Sequence, residues 1–132
     1  MLIRSEGIHH VSLSVTDLKK AKQFYGSVLG FKEIERPKFD FPGAWYQIGP
    51  QQLHLIVDEG SSTLRKVNDL NSREGHFAVR VKDYEETLEH LKEQRVQILE
   101  KPKSKSGFAQ IFCMDPDFNL IEFNVDQETM NK

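Results

Sequence analysis

The sequence is short of several things, and each shortage excludes a class of protein. It holds one cysteine, Cys113, in 132 residues, so no internal disulfide can form and no Cys-x-x-Cys motif exists. No run approaches eighteen consecutive apolar residues, which excludes a membrane-spanning helix. The opening residues, Met1-Leu2-Ile3-Arg4-Ser5-Glu6-Gly7, show no basic region followed by an apolar stretch, so no secretory signal is visible. Neither sign of charge dominates: 18 Lys and Arg against 20 Asp and Glu leave a formal charge of −2, unlike the basic balance of a nucleic-acid-binding module. Gly-rich phosphate loops and Gly-x-Ser-x-Gly elbows are missing too. The expectation is a cytoplasmic protein that engages neither nucleic acid nor membrane.

What is present suffices for one domain. Hydrophobic residues make up 38% and aromatics 10%, with nine Phe, enough for a real core in a chain of this length. Period-2 alternation over Ile8 to Val15 predicts a strand. Asp17 then reads as an N-cap, and Leu18, Ala21, Phe24, Tyr25, Val28 and Leu29 have helical spacing up to a C-capping Gly30. Strands are predicted over 31–35, 44–48 and 52–57, the last two as a hairpin around Gly49-Pro50. A polar stretch follows. The pattern then restarts with a strand at 76–81, a helix opened by Asp83, and strands at 96–99, 108–114 and 120–125. Both halves read β-α-β-β-β.

The halves align with each other. His10 precedes Asp17 by the same interval as His76 precedes Asp83, and Leu53-His54-Leu55-Ile56-Val57-Asp58 matches Ile121-Glu122-Phe123-Asn124-Val125-Asp126. Such a repeat can pack about a pseudo-two-fold axis. His10, His54, His76 and Glu122 occupy repeat-equivalent places. In each strand the alternation sends the apolar neighbours to one face and these four to the other. Imidazole nitrogen and carboxylate oxygen are what a divalent transition metal requires, so the four are the expected metal ligands.

At these residues the chain resembles the vicinal oxygen chelate superfamily, the glyoxalase, bleomycin-resistance and extradiol-dioxygenase group. The matching segments are residues 8–18 (Ile-His-His-Val-Ser-Leu-Ser-Val-Thr-Asp-Leu), Phe24-Tyr25 with Leu29-Gly30-Phe31, residues 75–79 (Gly-His-Phe-Ala-Val) and residues 115–122 (Asp-Pro-Asp-Phe-Asn-Leu-Ile-Glu). The resemblance implies an α+β fold: two β-α-β-β-β modules forming a curved, mixed, eight-stranded sheet around a metal-binding cavity. One domain, 1–132, would hold module one (7–58), a linker (59–74) and module two (75–126). It also implies that His10, not the adjacent His9, is the ligand, together with His54, His76 and Glu122. The cofactor would be one divalent ion (Zn, Ni, Co, Mn or Fe). The implied activity is that of a lyase or isomerase. It stabilises an enolate-type intermediate on a small oxygenated substrate, with Glu122 as catalytic base. A homodimer is expected, with modules pairing within one chain or across two. Alternatives on the same fold are a thiol transferase, a dioxygenase and a non-catalytic drug-binding resistance protein. The chain differs from lactoylglutathione lyases, which usually carry Glu at the position of His54.

Substrate-binding candidates are Trp45 and Phe41 near the mouth of module one, Phe108 on the opposite wall, and Arg80 for a carboxylate. Cys113 is expected to be a buried, inert thiol and His90 a surface residue.

Overall fold

The computed structural model describes residues 1–131. All eight strands form: β1 (His10–Val15), β2 (Lys32–Ile34), β3 (Gly43–Ile48), β4 (Gln51–Val57), β5 (His76–Arg80), β6 (Leu99–Lys101), β7 (Phe108–Met114) and β8 (Leu120–Asp126). Two helices, α1 (Leu18–Lys22) and α2 (Tyr84–Glu93), follow the first strand of each half. The protein is therefore α+β. None of its described helices is long and apolar enough to cross a membrane.

The N-caps are where the sequence places them. Asp17 accepts from the Lys20 amide and Asp83 from the Glu86 amide, each satisfying an otherwise orphaned helix donor. The first helix departs from its expected form. After α1 the chain widens into a π-helix over Gln23–Val28, with the Leu29 amide on the Phe24 carbonyl and the Phe31 amide on the Tyr25 carbonyl. The extra residue per turn turns Phe24 and Tyr25 together into the core, where both are buried. The strand expected at 96–99 forms instead at Leu99–Lys101. Arg95 takes a left-handed φ of 58° to leave α2, and Val96 bonds back to the Leu91 carbonyl, so pairing with β7 begins only at Leu99.

Hydrogen bonding sorts the strands into two four-stranded mixed sheets, ordered β1-β4-β3-β2 and β5-β8-β7-β6. The identical order is the sequence repeat expressed as topology. The eight strands are thus interrupted between β1 and β5, which each form hydrogen bonds on one side only. Apolar residues from both sheets and both helices merge into a single core, including Val15, Tyr25, Tyr46, Leu55, Val79 and Phe123.

The Asp115–Asn119 turn locks the two modules together. Asp115 is buried, and its carboxylate accepts from the Asp117 and Asn119 amides, the Asn119 side chain and the Tyr25 hydroxyl at 2.7 Å. Asp117 bonds Thr16 through backbone and side chain, and the Asn119 amide reaches the Ser14 carbonyl. Burial raises the Asp115 carboxyl above its ordinary range, while burial and the nearby carboxylate keep the Tyr25 phenol protonated and donating. Removing the hub strands four donors. Asp115→Ala is therefore expected to cost about 3 kcal/mol and Tyr25→Phe about 1.5 kcal/mol, measured by urea unfolding. Equal, negligible losses would show that this turn does not hold the modules.

Candidate functional site

The strand register assembles the four candidate ligands into two pairs. In the parallel β1–β4 ladder His10 lies opposite Gln52 and Ser12 opposite His54. In the parallel β5–β8 ladder His76 lies opposite Leu120 and Ala78 opposite Glu122. Each pair therefore spans the same diagonal, one residue on the outer strand and the other two places along the inner one. On one sheet the His10 and His54 rings stack at 4.0 Å. On the other, His76 Nε2 stands 3.0 Å from Glu122 Oε1.

The neighbouring antiparallel ladders repeat the theme. Trp45 on β3 lies opposite His54, and Phe112 on β7 opposite Glu122. The Trp45 indole lies flat on His54 at 4.0 Å and 5°, so His54 is sandwiched between Trp45 and His10. Phe112 meets His76 edge to face at 5.3 Å. Beyond Trp45 the row of rings continues through Phe39 to Phe41, with the Arg36 guanidinium over both. Gly43 makes that seat possible, because a Cβ there would collide with the Leu55 carbonyl and the Arg36 guanidinium.

His54 is buried, and its Nε2 bonds the Gln52 side chain at 2.8 Å. Burial, then the neighbouring His10, His9 and Arg36, lower its pKa, so the imidazole is held neutral with a lone pair available. His10 shares a proton with His9 between the two Nδ1 atoms at 2.9 Å, which leaves His10 Nε2 unengaged. His9 thus lies just before β1 and orients the ring of its neighbour.

The second pair is more elaborately supported. Glu122 is 4% exposed, and a buried carboxylate needs partners. Oε2 accepts from Gln110 at 3.0 Å and Asn124 at 2.7 Å, leaving Oε1 to face His76. Arg80 donates through Nε to Asn124, pairs with Asp126 and covers the Phe108 ring. Both Arg80 and Phe108 therefore stand behind the carboxylate. His76 Nδ1 lies 2.8 Å from the Glu74 carbonyl, which can only accept, so Nδ1 carries hydrogen. That leaves Nε2 as the nitrogen that faces Glu122 Oε1. Gln110, Asn124 and Gln52 carry no signal of their own in the sequence. Asn124 could have been found by parity, two places from Glu122 on the same strand face.

These donors suit a divalent transition ion in type: imidazoles, one held neutral, and a carboxylate with one free oxygen. One chain brings the four candidate ligands together only in twos, and among the described residues no three of His, Cys, Asp or Glu are grouped so as to hold a metal ion. Cys113 is buried at the back of β7, its thiol pushed up to about 12 by burial and by Asp115, and takes no part. His90 is exposed on α2 and also bonds the Val28 carbonyl across the modules at 2.6 Å.

Comparison with known proteins agrees with the fold described above. The family model described as Glyoxalase/Bleomycin resistance protein/Dioxygenase superfamily matches residues 7–123. A lactoylglutathione lyase of Neisseria meningitidis is 33% identical over 119 residues, covering 86% of each chain. A lactoylglutathione lyase of Arabidopsis thaliana is 26% identical, but the chain spans only 43% of its length. Among solved structures, a lactoylglutathione lyase from Agrobacterium tumefaciens superposes with a TM-score of 0.73 at 20% identity, covering 96% of this chain and 98% of that one. A fosfomycin resistance protein from Listeria monocytogenes gives a TM-score of 0.69 at 20% identity, covering 91% and 93%. At these identities the two superpositions speak for the fold.

Proposed function

We propose, from the premise that this chain belongs to the glyoxalase/bleomycin resistance protein/dioxygenase superfamily, that it is a metal-dependent lyase or isomerase acting on a small oxygenated substrate. The observation that carries the reading is the pair His76–Glu122. A buried carboxylate held by two amides presents its remaining oxygen to an imidazole nitrogen whose other nitrogen is tied to a carbonyl. His10 and His54 supply the complementary donors. A divalent ion held by these residues would act as a Lewis acid on a substrate oxygen.

The chain's own groups do the rest. Glu122 serves as ligand and as base in turn: Oε1 takes a proton from carbon beside a carbonyl, and the same atom can return it to the neighbouring carbon. Gln110 and Asn124 hold Oε2 so that Oε1 is the oxygen presented. Arg80 fixes Asn124 from behind, and Phe108 supports the Arg80 guanidinium. Trp45 and Phe41 form an apolar wall for the substrate beside the His10–His54 pair.

Two donors from one sheet do not make a transition-metal site, which normally takes three or four protein ligands. β1 and β5, like β2 and β6 at the opposite ends of the sheets, carry an unpaired edge, and such edges invite pairing with another chain; of the four, β1 and β5 are the ones that carry candidate ligands. In a homodimer, β1 of one protomer beside β5 of its partner would bring His10 and His54 to the partner's other pair. The 59–74 linker would connect modules serving two different sites.

The test is elemental analysis after reconstitution with zinc, nickel, cobalt, manganese or iron(II), followed by an ultraviolet assay of thioester formation from the glutathione–methylglyoxal hemithioacetal. About one ion per chain is expected, with any activity lost on chelation. A protein that retains no divalent ion sinks the proposal.

The sandwich around His54 favours a second reading at that residue. With Trp45 and His10 on its faces and Gln52 on Nε2, His54 could position His10 instead of ligating. The site would then be His10, His76 and Glu122, with a vacancy suited to a thiol transferase or dioxygenase. His54→Ala decides: a tenfold or greater loss of metal affinity makes His54 a ligand, and unchanged affinity selects the three-donor site.

A further inference from the structure

We infer that the cavity roofed by the linker, where β1 approaches β5, binds the carboxylate of a small, mostly apolar monoanion. The cavity measures ≈310 Å³. Its polar wall consists of Ser12, Ser14, Thr63, Arg65, His76 and Asn119, the remainder is glycine and apolar side chains, and no carboxylate lines it.

Arg65 makes the cavity cationic. Its Nη1 donates to the Phe118 carbonyl at 2.9 Å and touches the Met114 sulfur, and Nη2 donates to the Asp69 carbonyl at 2.9 Å. All these partners are neutral, and among the described residues no carboxylate side chain forms an ion pair with the guanidinium. A guanidinium has five N–H donors. Nε–H and one hydrogen of Nη2 are left over, a pair that matches the two oxygens of a carboxylate. Partly buried charge without a counter-ion is costly, and an anion from solution would relieve it.

Two further features aim the site. Ser14 donates to Ser61 at 2.8 Å, Thr63 donates to Ser14 at 3.4 Å, and Ser61 and Thr63 are 2.9 Å apart. Turning the Thr63 hydroxyl toward an incoming oxygen would give up only its long 3.4 Å bond to Ser14, which still donates to Ser61. The backbone is also strained at both ends of the contact that positions Arg65. Lys66, the next residue, has φ 58°, and Phe118, whose carbonyl receives the guanidinium, has φ 67°. Side chains of this size rarely adopt that region, and such strain persists where the surroundings enforce it.

One guanidinium balances one negative charge, which favours a carboxylate over a dianionic phosphate. The apolar remainder suits a short carbon body. His76 belongs both to this cavity and to the pair with Glu122, so an anion held on Arg65 would share the cavity with one member of that pair. The identification of this anion as the substrate rests on the functional reading above, whereas the binding itself does not.

Pyruvate is the probe: its carboxylate sits beside another oxygen on a small body. Metal-free full-length protein is titrated at constant ionic strength, following the ¹⁵N–H resonance of Arg65 Nε and, separately, equilibrium dialysis. Saturable binding of one pyruvate per chain is expected, shifting the Arg65 signal. Arg65→Met should weaken it at least tenfold. Ser12→Leu, which fills the cavity without touching any Arg65 partner, should abolish it, and decides the matter even if Arg65→Met fails to fold. No saturable shift, or undiminished binding by Ser12→Leu, overturns the proposal. Tighter binding of inorganic phosphate than of pyruvate overturns the carboxylate assignment. A protein that binds its divalent ion but no pyruvate keeps the proposed function and loses this inference, and the converse result does the opposite.

Discussion

Glu122→Gln is expected to cut divalent-metal affinity by at least about a hundredfold and to remove metal-dependent activity, while the fold survives. The substitution keeps the shape of the side chain and an acceptor oxygen at the Oε2 position, so both supporting amides, Gln110 and Asn124, which share that oxygen, still find a partner. What disappears is the charge and the free oxygen facing His76 Nε2. A neutral amide is a poor ligand for a transition ion that selects carboxylate and imidazole, and even groups that merely orient a ligand are worth ten- to a hundredfold. His76→Ala should behave alike. Metal content by elemental analysis and the thermal unfolding midpoint, measured on the same samples, separate loss of the site from loss of the fold. If both variants retain metal as tightly as the parent, His76 and Glu122 are not ligands.

Mixing two deficient chains should restore sites that neither has alone. His10→Ala removes a donor from one half-site and Glu122→Gln from the other. If each metal site takes His10 and His54 from one protomer and His76 and Glu122 from its partner, a mixed dimer contains one intact site and one doubly deficient site. Random reassociation makes half of the dimers mixed, so about one site in four should recover metal and activity. If all four ligands met within a chain, every site would stay damaged and recovery would be nil. Co-unfolding and refolding of equal amounts, followed by metal analysis, gives the answer. The unpaired edges of β1 and β5 and the separation of the ligands into twos are the reasons to expect recovery.

Much of this was readable along the chain, because parity is a local property. Alternation in the first strand fixes His10, Ser12 and Ser14 on one side and Val11, Leu13 and Val15 on the other wherever the strand is placed, and the structure buries Val15 while leaving His10 exposed. The caps at Asp17 and Asp83 are equally local, since each needs only an amide three residues away. The repeat, read from matching segments, reappears as identical strand order in the two sheets.

Tertiary structure decided the rest. Which ligand meets which depends on register between strands more than forty residues apart, and no local pattern distinguishes His10 opposite Gln52 from His10 opposite His54. The break between β1 and β5 is likewise a matter of edges, because a strand's own residues do not say whether its outer hydrogen bonds close within the chain. β6 shifted because a short outer strand carries little packing of its own, and the left-handed turn at Arg95 set where it could begin. Gln110 and Asn124 are ordinary polar residues until the fold aims them at one buried oxygen. Arg65 is an unremarked linker residue until two strained turns hold it, uncompensated, against a cavity. Spacing along the chain thus suffices for the modules, their caps and the face on which each donor lies. Partners, edges and uncompensated charge arise only on folding, since they depend on what distant segments bring within a few ångströms.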